Sequence, residues 1–167
     1  IDTRRRTQLT YSLTENIQSV SYFPNDNRIM FNRDSGNLEN SVLCVLAPDG
    51  KEVVLTPGEE VQAFFHRWSD DCSSFYVSTN ERDQHRFDLY RFDAHTFERS
   101  VIYRATEGFY FSGLSPDERQ VLFLKSKSKT DAHIFLYHIN NAEMKCLTPH
   151  EGDVLNCAPV FDRDAKA

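Results

Sequence analysis

At 167 residues the chain is long enough to bury a substantial core, and its 40% hydrophobic content is that of a globular protein. Its formal charge of −6 excludes the net positive potential that a nucleic-acid-binding face requires. Arg4-Arg5-Arg6 and the alternating Lys125, Lys127 and Lys129 read as solvated charges that discourage edge pairing, and no stretch approaches the length of a membrane span. Neither nucleic acid nor membrane is therefore an expected partner.

Thirteen Phe and seven Tyr against two Met and one Trp favour strands, because aromatic side chains suit a pleated, half-buried surface. No long window keeps apolar residues at helical spacing, so the expected class is all-β. In chain order, Arg4 to Thr10 aligns with the outermost strand of a unit whose other strands are absent. A full unit follows: the turn Phe23-Pro24-Asn25-Asp26, the strand Ile29-Met30-Phe31, a polar loop from Asn32 to Asn40, a third strand at Leu43, the turn Asp49-Gly50, and Leu55-Thr56.

The next unit repeats this plan. Its strands are expected at about Val61 to Trp68, Ser74 to Thr79, Phe87 to Phe92 and Phe97 to Tyr103, with a polar loop from Asn80 to Arg86. The third carries Leu114-Ser115-Pro116-Asp117, Val121 to Leu124, a loop from Lys125 to His133, a strand from Ile134, and Leu147-Thr148. Asn156 to Phe161 then aligns with the first strand of another unit, followed by the turn Phe161-Asp162-Arg163-Asp164.

Three markers keep one register. The turn aspartates Asp26, Asp71, Asp117 and Asp164 stand 45, 46 and 47 residues apart, the third strand begins at Leu43, Leu89 and Ile134, and Leu-Thr recurs at Leu9, Leu55 and Leu147 with Val101 at the missing place. A repeated four-stranded unit of this length marks a β-propeller blade, which cannot bury both faces alone. The expected organisation is a partial propeller: an outer strand of a preceding blade in 1–15, blades in 16–58, 59–106 and 107–152, and the first strand of a next blade in 153–167. Closure needs at least four blades, so the chain reads as a portion of a longer polypeptide or as one of several mutually completing copies. Self-association through the terminal blades is an expected consequence.

Chemistry is sparse. Cys44, Cys72, Cys146 and Cys157 are far apart and read as buried free thiols, with disulfides the open alternative. The six histidines are scattered over the units and read as satisfied or solvent-facing, Glu59-Glu60 as a solvated turn; neither a metal nor a cofactor is expected. Ser112 and Ser115 do not sit in a Gly-x-Ser-x-Gly elbow, so no catalytic residue is expected. Arg82, Asp83 and Arg86, in the second polar loop, are the candidate substrate-facing residues, because rim loops of a propeller commonly line its binding face.

The repeated Trp/Phe-Ser/Pro-x-Asp turn, Ser78-Thr79-Asn80-Glu81-Arg82-Asp83 followed by Phe87-Asp88-Leu89-Tyr90, and Leu147-Thr148-Pro149-His150-Glu151-Gly152 together resemble the N-terminal propeller of prolyl oligopeptidase family serine peptidases, including acylaminoacyl-peptidase-like members. TolB-like propellers share the blade type. The resemblance departs from the usual pattern after the turn Asp, where Asn27, Cys72, Glu118 and Ala165 stand in place of Gly. It implies a C-terminal α/β-hydrolase domain with a Ser-Asp-His triad, over which the propeller restricts entry. The implied partners are the remainder of the polypeptide and the parent enzyme's peptide substrate; a TolB-like protein would instead be an interaction scaffold. Cytoplasmic and periplasmic settings are equally consistent with this reading.

Overall fold

The computed structural model describes residues 8–34 and 40–162, and among these there is no helix. The strands form three four-stranded antiparallel sheets, and strand order in each follows chain order. By compactness the chain divides into two units, 1–65 and 66–167.

In the first unit, β1 (Asn16–Tyr22), β2 (Ile29–Asp34), β3 (Val42–Leu46) and β4 (Glu52–Val54) make one sheet. Register places Met30 opposite Val45 and Phe31 opposite Cys44, and all four are buried. Burial pushes the Cys44 thiol up to about 11, leaving it protonated and inert.

The second sheet comprises β5 (Ala63–Trp68), β6 (Ser74–Asp83), β7 (Arg86–Asp93) and β8 (Arg99–Tyr103). The third comprises β9 (Tyr110–Leu114), β10 (Gln120–Ser126), β11 (Ala132–His138) and β12 (Glu143–Cys146). Because side chains alternate along a strand, Tyr76, Leu89 and Tyr103 share one face of the second sheet. They form one core with Leu114, Val121, Phe123 and Tyr137 of the third. The Tyr103 ring lies 4.5 Å from Phe123 and 5.1 Å from Tyr137. Such aromatic contacts contribute about 0.5–1.5 kcal/mol each beyond the area they bury. On the opposite face of the second sheet, Phe75 stacks on Phe92 at 5.2 Å and meets Trp68 edge-on.

The recurring Asp closes each first turn by accepting from the backbone N–H two residues on: Asp26 from Arg28, Asp71 from Ser73 and Asp117 from Arg119. Cys72 and Glu118 adopt φ of 57° in place of Gly, which an L-residue tolerates only when its surroundings hold it there. In both turns the preceding Ser hydroxyl donates to the Asp at 2.6 Å and accepts a backbone N–H, from Ser74 or Gln120. Hydrogen bonds from Ser69 and Ser73 hold the Asp71 carboxyl down at about 2. From the Glu118 turn, the carboxylate accepts from the Tyr76 hydroxyl at 2.8 Å and so ties the third sheet to the second.

The structure corrects the sequence reading in four places. Asn80 to Arg86 is not a loop: β6 continues to Asp83 and β7 starts at Arg86, making a long hairpin braced by the Arg82–Asp88 hydrogen bonds. Tyr103, not Val101, stands opposite Leu89, since the ladder shifts between Leu89 and Tyr90. Gln8 to Thr10 and Asn156 to Phe161 form no strands; residues 4–7 and the turn residues 163–165 lie outside the described residues. Of the four free thiols only Cys44 is buried, whereas Cys157 is exposed.

Candidate functional site

The β6–β7 hairpin carries all three residues singled out from sequence. Arg82 donates two parallel hydrogen bonds to Asp88, 2.7 and 2.8 Å, and a third to the Ala105 carbonyl at 2.7 Å. Asp88 is 1% exposed and also accepts from the Ala105 N–H at 2.7 Å. Burial by itself would raise the Asp88 pKa. The hydrogen bonds from Arg82 and Ala105 and the nearby positive charge outweigh it and hold the carboxyl below its usual range. Arg82 is thus committed to tying the hairpin to the end of β8. Asp83 accepts the His85 N–H at the hairpin tip, and the Arg86 guanidinium lies 3.5 Å from Asp83. Arg86 is the most exposed cation of the trio.

A second feature lies along the first strands of the two adjacent sheets. His66 of β5 stacks on Phe111 of β9 with ring centroids 3.9 Å apart, beside a cavity of about 340 Å³ also lined by Gly113, Leu114, Pro159 and Phe161. Burial pushes the His66 pKa down to about 4, so the ring is neutral near pH 7. His66 Nε2 lies 2.7 Å from Ser78 Oγ, but Ser78 is only 4% exposed. This is therefore a packing bond, not an accessible nucleophile and its base. The walls suit an apolar side chain.

Third, the histidines are not all separate, as the sequence suggested. His133 at the start of β11 and His150 beyond β12 stack at 4.0 Å, and Asp131 joins them. One donor atom from each of the three lies within 4.8 Å of the others. The sequence signal was Asp131-x-His133, two residues on the same side of an extended segment. Its partner His150 is seventeen residues downstream and no local spacing exposes it. His138, by contrast, faces Gln120 in the position Asp93 holds opposite Ser74.

Four-stranded sheets of one plan and one internal order define the class: this is a partial β-propeller. No protein-family model matches the chain, and no curated protein matches it. Solved structures do. TolB from Acinetobacter baumannii matches over 92% of this chain and 37% of its own, at 18% identity and a TM-score of 0.56. A prolyl endopeptidase matches over 86% of this chain and 23% of its own, at 14% identity and a TM-score of 0.59. A puromycin-hydrolysing peptidase of Mycobacterium tuberculosis matches over 92% and 24%, at 15% identity and 0.59. The likeness is one of fold, a partial β-propeller, and the chain spans less than half the length of these structures.

Proposed function

We propose that this chain is the non-catalytic propeller portion of a serine peptidase of the prolyl oligopeptidase type, covering the active site of an α/β-hydrolase domain and limiting which peptides enter. The observation that carries this reading is the β6–β7 hairpin, whose Asn80–Tyr90 sequence resembles that of the peptidases and whose strands are tied to the segment after β8 by the Arg82–Asp88–Ala105 bonds. Arg86, half-buried at the hairpin tip, is the residue proposed to face substrate, with Asp83 orienting it and Arg82 positioning both. The test is on the parent polypeptide. It should react with a fluorophosphonate serine-hydrolase probe and cleave short peptides while sparing folded proteins, and Arg86→Ala should change KM for charged peptides more than kcat. A parent polypeptide that never labels would overturn the reading in favour of an interaction scaffold, which the likeness to TolB over 92% of the chain supports as the second reading.

A further inference from the structure

The Asp131, His133 and His150 side chains are 9%, 10% and 12% exposed. Both imidazoles turn Nδ1 to the same acceptor, the Thr148 carbonyl oxygen, at 3.0 and 2.8 Å. A carbonyl can only accept, so each Nδ1 carries a proton, and in a neutral ring Nε2 is then a bare acceptor. Yet His150 Nε2 meets Asp131 Oδ1 at 2.9 Å, with His133 Nε2 3.8 Å from the same oxygen. Two acceptors reach that separation only when they share a proton or a metal ion. The Lys127 ammonium supplies no such proton, because it lies 3.8 Å from the other carboxylate oxygen, Oδ2.

We propose that Asp131 Oδ1, His133 Nε2 and His150 Nε2 form a binding site for a divalent transition cation of the zinc class, with the Thr148 carbonyl orienting both rings from behind. Two imidazole nitrogens and one carboxylate oxygen suit zinc and its neighbours better than calcium or magnesium, which take oxygen-rich shells. A backbone carbonyl that fixes the Nδ1–H tautomer is the usual outer partner of a metal-ligating histidine. Bond lengths of about 2.0–2.2 Å require the three donors to gather around the ion. The bound ion would clip the segment leaving β12 to the start of β11. That segment already returns to β11, with Leu155 bridging Ala132.

The full 167-residue chain, stripped with a chelator, is dialysed against zinc chloride and its metal content measured. One equivalent is expected, with the melting temperature rising by about 5–10 °C at a hundredfold excess over the dissociation constant. His133→Gln, His150→Gln and the near-isosteric Asp131→Asn should each weaken binding by about 100-fold or more, while His95→Ala in the β7–β8 turn should bind as the parent does. A readout on the unsubstituted chain keeps the test independent of variant folding. Zinc should shift the Nε2 resonances of His133 and His150 while both keep Nδ1–H. Uptake that leaves these two rings unmoved, uptake undiminished in Asp131→Asn, or no uptake with a doubly protonated His150, so that the cation is merely a proton, would each overturn the proposal.

Discussion

The rims of the second and third sheets solve the same problem differently. In each, a carboxylate near the start of the third strand faces the segment leaving the fourth. In the second sheet, Asp88 is answered by a guanidinium and a backbone N–H, so its charge is fully compensated inside the protein. In the third, Asp131 faces two imidazoles that share one carbonyl, with His150 Nε2 2.9 Å and His133 Nε2 3.8 Å from its Oδ1. The arginine rim is a closed ion pair, stable in one state. The histidine rim instead gathers three donor atoms within 4.8 Å of one another, so like positions in a repeat can diverge in chemistry without disturbing the blade.

Substitutions can break this contrast or sharpen it. Arg82→Ala should have the largest effect, a clear fall in the urea unfolding midpoint, because it leaves the buried Asp88 carboxylate with only the Ala105 N–H; an unchanged midpoint would mean that Asp88 is hydrated. Next comes pH. His66 has a folded pKa near 4 against about 6.5 unfolded, so its contribution is complete above the unfolded value and is lost as pH falls from about 6.5 toward 4, by about 3 kcal/mol. Asp88, also depressed, loses its contribution only below the ordinary carboxylate range, so a stability profile should show the His66 step first, and His66→Phe should remove it.

A smaller effect is expected at the sequence marker Leu-Thr. Thr148 Oγ1 accepts the Ile134 N–H at 2.9 Å, as Thr56 does from Leu43 at 2.8 Å, so Thr148→Val should cost about 1–2 kcal/mol and Thr56→Val, fully buried, at least as much. Smallest of all, Arg86→Ala should change stability by under about 0.5 kcal/mol by chemical denaturation, since its pair with Asp83 is exposed.

The Leu-Thr and third-strand markers, found separately in the sequence, prove to be bonded to one another in the first and third sheets. That is why they kept one period. The second sheet lacks the Thr, and its ladder shift moved Tyr103 into the place assigned to Val101. A register shift of this kind is set by cross-strand packing and leaves no trace in local spacing. The hairpin was misread as a loop for a related reason: Asn80 to Asp83 is polar, and its strand geometry depends on a partner strand.

The sequence by itself determined the blades, because alternation, turn aspartates and strand starts are local or periodic and each follows from the pleat of a strand and the reach of a short side chain. Only the tertiary structure decided which charges are buried and which histidines meet. Those pairings join segments seventeen or more residues apart, Arg82 to Ala105 and His133 to His150, and their energies come from desolvation that no residue acquires until its neighbours close over it.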